Sequence, residues 1–519
     1  MYLIRVVGLV VGLSIVTACA VNPVTGEQEL SLVSEGQELE VGRAQYAPSQ
    51  QMQGGNYRSD PALTDYVNNV GQRLAAVSDR RLPYEFRIIN DSTPNAWALP
   101  GGKIAVNRGL LFELESEAEL AAVLGHEIVH AAARHGAKGM ERGMLLQGAV
   151  IAAGVAAGGS DYSNLAVGSA ALGANLLNQS YSRDAEREAD HYGIKYMVRA
   201  GYDPTAAVRL QEAFVRLAEK RHGNEGWVTG LFASHPPSRE RVEQNRLLVR
   251  QLKAKGGDWG RERYRRMTAQ LRRTKPAYDA FDEGRKALGK KRPKEVLSLA
   301  EKAIRIEPQE ALFYGLRGDA NFELGRQRQA LRDYDQALNR DPDFFRYYVK
   351  RGLVREKQGD TRGAQRDFDQ SIKLLPTAPA YFGLGRLALE SGQRQQAKDY
   401  FRKASGSRST DGQAAAKEFM RLDLADNTER YLKVWLVQDR SGRLAIQVKN
   451  STKFPLKAVR VQLNRRDARG RLGAPRLFRV SGRIDPGDTV AIRTDIGPLA
   501  SRDGVKGWVS RPVNARLVE

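Results

Sequence analysis

Six histidines occur in the 519 residues, at positions 126, 130, 135, 191, 222 and 235, and two of them frame the run Gly125-His126-Glu127-Ile128-Val129-His130. His-Glu-x-x-His is the spacing with which hydrolytic zinc sites are built. On a helix the two imidazoles stand one turn apart on one face, where they can share a metal ion. Glu127 projects about 100° further round, close enough to polarise a water on that metal. Glu115, Ser116 and Glu117 place negative charge at the helix start, and Leu120, Val123, Leu124, Ile128 and Val129 supply a face to bury. No histidine follows His235.

The third ligand has to come from a later element. Positions 133 and 136 are Ala133 and Gly136, so the helix does not continue into a third histidine ligand. His135 lies about 140° off the ligand face and reads as a surface histidine, or one behind the ligands, beside Arg134. The run Tyr181-Ser182-Arg183-Asp184-Ala185-Glu186-Arg187-Glu188-Ala189-Asp190 offers Glu186 and Asp190 one helical turn apart. The first can ligate metal while the second hydrogen-bonds a ligand imidazole. Glu188 points off that face and reads as solvated. Two histidines, one glutamate and water leave the open position that catalysis needs. The expectation is one zinc ion per chain on His126, His130 and Glu186, with Glu127 as the catalytic base.

His126-Glu127-x-x-His130 followed by Glu186-x-x-x-Asp190 resembles the gluzincin family that includes the CAAX prenyl protease and the bacterial heat-shock protease HtpX. Asn95-Ala96-Trp97-Ala98-Leu99-Pro100-Gly101-Gly102-Lys103-Ile104-Ala105-Val106 is similar to that family's segment upstream of the zinc helix. The resemblance implies a strand at the rim of the cleft, against which substrate lies as an added strand. On that ground Asn95, Ala98, Lys103, Ile104 and Ala105 are the substrate-binding candidates. The residues agree: Pro100-Gly101-Gly102 is a turn, Lys103 to Val106 is a short extended run, and an unpaired edge holds extended peptide through main-chain hydrogen bonds. Ala233-Ser234-His235-Pro236-Pro237-Ser238-Arg239-Glu240-Arg241 is similar to the family's Ser/Thr-His-Pro segment with an arginine shortly after. The resemblance implies a catalytic His235 that donates to the developing oxyanion, or that occupies the open zinc position when substrate is absent. Arg241 is then placed to pair with substrate carbonyls or with Asp190, and Ser238 to cap a helix.

The amino terminus suggests an address. Met1 to Arg5 is a short basic start, and the 13 residues Val6 to Ala18 are mostly apolar, ending Val16-Thr17-Ala18-Cys19. That run falls short of the roughly 20 residues of a spanning helix and reads as a signal peptide. Val-Thr-Ala-Cys resembles the bacterial lipoprotein box, which implies a mature chain acylated at Cys19. Ala20 after the cysteine implies the periplasmic face of the outer membrane. Cys19 is the only cysteine, so no disulfide forms within the chain. Met144 to Gly159 and Leu165 to Leu177 are apolar but short, and read as a helical hairpin beside the active site.

The second half differs in kind. Pro308, Pro342 and Pro376 recur every 34 residues, the tetratricopeptide period. Gly284, Gly318 and Gly352 keep the register, as do Gly325 with Gly359, Ala330 with Ala364, and Tyr334 with Phe368. A fourth unit from Thr377 to about Gly406 is one residue shorter. Such units stack into a concave surface for peptides or partner proteins. Beyond a helical stretch the pattern turns to period two at Tyr431–Val437, Leu444–Lys449, Leu456–Leu463 and Thr489–Arg493, the spacing of an antiparallel β-sandwich. The net charge is +22, with arginines dense from Arg239 to Arg273 and again at Arg460, Arg465, Arg466, Arg469 and Arg471. No nucleic-acid-binding motif accompanies them, and anionic envelope surfaces suit the charge better than nucleic acid does.

The expected fold class is an α+β multidomain chain with a mostly helical zincin-type metallopeptidase domain, a tetratricopeptide-repeat α-solenoid and a C-terminal antiparallel β-sandwich. The expected boundaries are 1–18 signal peptide, 19–255 peptidase, 256–275 basic linker, 276–406 repeats, 407–429 helical connector and 430–519 immunoglobulin-like sandwich. The pairing of peptidase with repeats resembles the family of the β-barrel assembly-enhancing protease, from which the sandwich departs. The resemblance implies a periplasmic endopeptidase, anchored to outer-membrane lipid through Cys19, that degrades misfolded or misassembled envelope proteins. Its repeats would recruit those proteins or the outer-membrane assembly machinery. The alternative is a chaperone or assembly scaffold in which the repeats act and proteolysis is secondary. The intact Glu127 favours the enzyme.

Overall fold

The computed structural model describes residues 19–156, 180–220, 234–253, 256–467 and 469–518. The expected signal peptide lies outside them, and so does most of the expected apolar hairpin beyond the helix His135–Ala156. Among the described residues no helix is long and apolar enough to cross a membrane. By its internal contacts the chain forms two compact units, Met1–Val354 and Arg355–Glu519.

In the first unit, Ser34 and Gln37 form a capping box that starts α1 (Glu35–Met52), and Asp60 caps α2 (Pro61–Ala75) with proline at its first position. A three-stranded sheet follows, in the order β1 (Glu85–Ile89), β3 (Lys103–Asn107), β2 (Ala96–Leu99). β1 runs parallel to β3 and β2 antiparallel to it, with Ala98 opposite Ile104. The turn between β2 and β3 needs glycine twice, because Gly101 and Gly102 take φ of 74° and 81°. The helix α3 (Glu117–Ala132) starts at Ser116, whose side chain accepts from the Glu119 N–H. It is buried along almost its whole length and forms the centre of the unit, beside β2 and α5. Around it stand α4 (His135–Ala156), α5 (Arg183–Arg199), α6 (Thr205–Lys220) and α7 (Arg239–Leu252).

Residues 256–275 do not form the expected linker. They carry a short helix, Arg261–Met267, and the start of the long helix α8 (Ala269–Gly289). Tyr264 is buried and donates to the Leu111 carbonyl at 2.7 Å, and Arg263 pairs with the buried Glu117. The basic residues here anchor a docked segment. Composition alone could not separate that from a solvated tether.

The repeat helices α9 (Pro293–Ile306), α11 (Gln327–Arg340) and α13 (Thr361–Leu374) start 34 residues apart, and α15 (Arg394–Ser405) starts 33 later. Between them stand α10 (Ala311–Glu323), α12 (Phe345–Lys357) and α14 (Ala378–Glu390). The repeated glycines have two distinct jobs. Gly325, Gly359 and Gly392 sit at helix ends with φ of 73°, 78° and 78°, whereas Gly318 leaves room for Tyr334, whose ring a Cβ would meet at 2.7 Å. One hydrophobic core runs from Leu63 in α2 through Leu120 in α3 to Phe313 and Tyr347 in the first repeats.

In the second unit, α16 (Thr410–Asp426) precedes two antiparallel sheets. One holds β4 (Leu432–Gln438), β5 (Leu444–Asn450) and β9 (Thr489–Arg493). The other holds β6 (Leu456–Arg465), β7 (Arg476–Arg479), β8 (Arg483–Ile484) and β10 (Trp508–Leu517). Leu444, Ile446 and Val448 of the first sheet share a core with Leu456, Val459, Val461 and Leu463 of the second. This is the expected sandwich, with β7, β8 and β10 added to the four strands legible in the sequence.

Candidate metal centre

The site begins where α3 crosses α5. Gly125 and Gly193 face each other there: a Cβ on Gly193 would meet the His126 backbone nitrogen at 3.0 Å, and one on Gly125 would meet the Gly193 carbonyl at 3.2 Å. Side chains at either position would force the helices apart. Their closeness sets the first turn of α5, begun by the Ser182 cap, against the histidine face of α3.

The side chains converge. His126, His130, Glu186 and His235 each offer a donor atom, and all four atoms lie within 4.8 Å of one another. His126 Nε2 is 3.0 Å from His130 Nε2. Glu186 reaches His126 at 3.5 Å, His130 at 3.4 Å and His235 Nδ1 at 2.9 Å. Nitrogens about 2.1 Å from one tetrahedral zinc lie about 3.4 Å apart, so this spacing fits a shared ion. Glu186 Oε2 strengthens the fit: it is buried without a hydrogen bond, although Arg241 Nη1 stands 2.8 Å away outside bonding geometry.

Asp190 sits where the sequence put it, 3.0 Å from His126 Nδ1. Arg241 grips it twice, Nε to Oδ2 at 2.7 Å and Nη2 to Oδ1 at 2.8 Å, and also donates to the Pro236 carbonyl. Its guanidinium is thus engaged by protein groups, which corrects the expectation of a substrate-binding, catalytic Arg241 in favour of its pairing with Asp190. Ser238 caps α7 as expected, accepting from the Arg241 N–H at 3.1 Å.

His135 takes the second of its two expected places, behind the ligands, and Glu188 joins it there. His135 is buried, with Nδ1 2.8 Å from His130 Nδ1, and its Nε2 lies 3.6 Å from Glu188. Glu188 is therefore half-buried and not solvated, and it accepts from Asn22 Nδ2 at 3.3 Å. With His130 Nε2 kept free for metal, its Nδ1–H donates to His135 Nδ1, and the His135 Nε2–H faces Glu188. The helix ends at Ala132, and Arg134 takes φ of 62°; this break swings His135 back toward His130, so a phase angle from a continuous helix misplaces it. Tyr181, which sequence reasoning missed, stacks on His130 with ring centroids 3.8 Å apart.

The electrostatics follow from burial against pairing. Burial works to lower His126, but the hydrogen bond to Asp190 and the nearby charge of Glu186 prevail and raise it to about 10. Burial holds His130 well below its ordinary value. Glu186 stays far below the carboxylate range despite burial, because His235 and His126 surround it. Glu127, only 1% exposed, is pushed up by burial. One of its oxygens has no hydrogen-bond partner among the described residues, and the other lies 3.6 Å from His235 Nε2. Next to it opens a narrow cleft of about 50 Å³ walled by Val123, Ile194, Met197, Leu210 and Phe214.

The substrate strand needs correction. Lys103, Ile104 and Ala105 lie on β3, the central strand, paired on both sides, and Lys103 is held by Glu85. They present no edge. The edge strand beside α3 is β2, with Ala98 at its middle, and all four of its residues are buried. Trp97 packs edge-on against Tyr46, and the Ala98 carbonyl accepts from the Tyr181 hydroxyl at 3.5 Å. Asn95 is half-buried just before it. Of the five candidates, Ala98 lies on this edge and Asn95 beside it, whereas Lys103, Ile104 and Ala105 fall one strand further in, because both strands are apolar and short.

With this geometry in view, the profile of Peptidase family M48 matches residues 61–247. Metalloprotease YcaL of Escherichia coli (strain K12) is 31% identical over 183 residues, covering 34% of this chain and 68% of that protein. The chain belongs to peptidase family M48. Two longer relatives are the putative β-barrel assembly-enhancing protease of Vibrio cholerae, 34% identical over 37% of this chain and 40% of its own length, and mitochondrial metalloendopeptidase OMA1 of Schizosaccharomyces pombe, 36% identical over 35% and 51%. The chain thus spans about half the length of these curated relatives, or less. M48 enzymes use zinc, and the donor set here suits it. Outside the M48 region, a TPR repeat profile matches residues 318–359 and a tetratricopeptide repeat profile matches 378–411.

Proposed function

We propose that this chain is a lipid-anchored zinc metalloendopeptidase of the bacterial envelope that degrades misfolded or misassembled outer-membrane proteins. The observation that carries the reaction is Glu127, a carboxyl buried beside four metal-capable side chains and facing an apolar cleft. Zinc on His126, His130 and Glu186 would polarise the scissile carbonyl. The remaining work falls to the chain. Glu127, made more basic by burial, takes the proton of the attacking water and passes it to the leaving amine. Asp190 and His135 hold the ligand imidazoles in the tautomer that keeps each Nε2 free. Arg241 positions Glu186 and Asp190 by neutralising both. His235 at ligand distance supports a resting state in which it closes the fourth side, then moves aside to donate to the oxyanion. An extended substrate would pair along β2 once that edge opens, with its side chain in the cleft.

The substrate class is supported by the printed names of the β-barrel assembly-enhancing relatives, and the address by the reading of Cys19. That residue stands in a short strand, Cys19–Val21, paired with Gln28–Leu30. The repeats would recruit clients or the assembly machinery. The scaffold alternative draws support from the buried β2 edge and from His235, which leave the resting site closed. Glu127→Gln should keep zinc and fold while proteolysis falls roughly 10²–10⁴-fold. If that variant fully complements a deletion strain, proteolysis is secondary and the scaffold reading replaces this one. Cys19→Ala should leave an unacylated precursor; normal fractionation with outer membranes would remove the anchor from the proposal.

A further inference from the structure

The sheet of β6, β7, β8 and β10 turns one face to the sandwich core and the other to solvent. Its four strands contain no aspartate or glutamate. Register lays out the solvent face in rows. Arg479 stands opposite Arg460, Leu477 opposite Gln462 with Arg511 on its other side, and Arg483, Lys457 and Arg516 lie side by side across three strands. In a regular strand Lys457 and Arg460, three apart, would point to opposite faces. Ala458 takes φ of 54°, and β10 shifts register between Pro512 and Asn514 and again before Arg516. This bulge turns both cations outward while Leu456, Val459 and Val461 stay buried. A left-handed alanine is strained, and what the strain achieves is the gathering of cations on one face.

Like charges directly opposite each other destabilise a sheet. Other exposed arginines of this unit meet carboxylates, as Arg476 meets Asp495 and Arg471 meets Asp467. On this face Arg483 pairs with Asp485, but Lys457, Arg460, Arg479, Arg511 and Arg516 have no ion pair among the described residues. The charge is spread in two dimensions, not along a groove. Leu477, 64% exposed, sits within it in phase with Arg479. Cations surrounding an apolar side chain suit a bilayer surface, where phosphates overlie hydrocarbon, and the guanidinium fork matches phosphate oxygens. We propose that this face docks on a bilayer bearing anionic phosphate headgroups, with Leu477 entering between them.

The test compares partitioning of the full chain onto phosphatidylcholine vesicles and onto vesicles that also contain phosphatidylglycerol. An acyl group or apolar leader binds both alike, so the excess on anionic vesicles reads the charge of the chain, and the substitutions assign it to the sheet face. That excess should be on the order of tenfold at low salt and vanish near 1 M, where the screening length falls to about 3 Å. Arg460→Glu with Arg479→Glu, and the milder Arg460→Gln with Arg479→Gln, should remove most of it without lowering the melting temperature. Arg265→Glu with Arg402→Glu, two exposed arginines outside the sandwich, should leave it intact. Leu477→Ser should reduce it severalfold. Equal binding to both vesicle types overturns the proposal, as does an excess that survives the Arg460 and Arg479 changes. Capture of an acidic peptide by those two arginines, in a chain indifferent to phosphatidylglycerol, also overturns it and assigns the face to a protein partner.

Discussion

Arg241 lies 6% exposed between two carboxylates, whereas Arg460 stands in solvent opposite another arginine. The metal centre and the sandwich face are both dense in charge, but they obey different rules. In the interior an unmatched ion is prohibitively costly, so Asp190, Glu186, Arg241 and the imidazoles enter as a closed set whose geometry each member fixes. At the surface water tolerates an open set, and the missing counter-charges can come from elsewhere. A closed set builds chemistry; an open set marks a boundary where the molecule meets something.

The strongest way to break the contrast is Arg241→Met, which keeps the bulk and removes the match. It should leave two buried carboxylates with only imidazole partners and destabilise the first unit by about 3–5 kcal/mol, read as a fall in melting temperature. A loss below 1 kcal/mol would show that the set is not closed. Asp341 tests the intermediate case, a buried carboxyl with Arg58 at 3.1 Å. Burial pushes it up to about 6 despite that partner. A raised folded value means that its contribution is fully present below the unfolded value near 4 and is lost as pH climbs through about 6. Asp341→Asn should therefore flatten stability between those limits by on the order of 2 kcal/mol, seen in melting curves across that range. An unchanged profile would mean that the Arg58 pair already compensates. His135→Phe keeps a buried ring but removes the nitrogen behind His130. Competition with a chelator should show zinc held 10–100-fold more weakly, and retention at the parent level would reduce His135 to packing. Arg479→Gln is the smallest effect: removing one of two opposed cations should leave stability unchanged or raise it by less than about 1 kcal/mol. A clear loss would mean that the face is not an open set.

Much of this was legible because local spacing decides it. His126, Glu127 and His130 are fixed by one helix, Glu186 and Asp190 by another, and the repeats by a period that glycine geometry enforces. The misses share a cause: each depended on how separate elements meet. Even the choice between the two readings of His135 turned on a single left-handed residue, Arg134. Glu188 became half-buried because His135 and Asn22 came to it. β2 and β3 exchanged the roles of edge and centre because β1 pairs with β3, a choice that strand composition does not announce. The stretch 256–275 reads as a tether until Tyr264 and Arg263 find Leu111 and Glu117.

Glu310, at the head of α10 and 2% exposed, accepts from Ser59 and Asn90 on one side and from Tyr278 on the other. A recombination that cut the gene ahead of the first repeat would part Glu310 and Tyr278 from Ser59 and Asn90 and split a shared core. The earliest repeats are therefore inherited with the catalytic half as one heritable block, and variation in repeat number among descendants should accumulate after Val354.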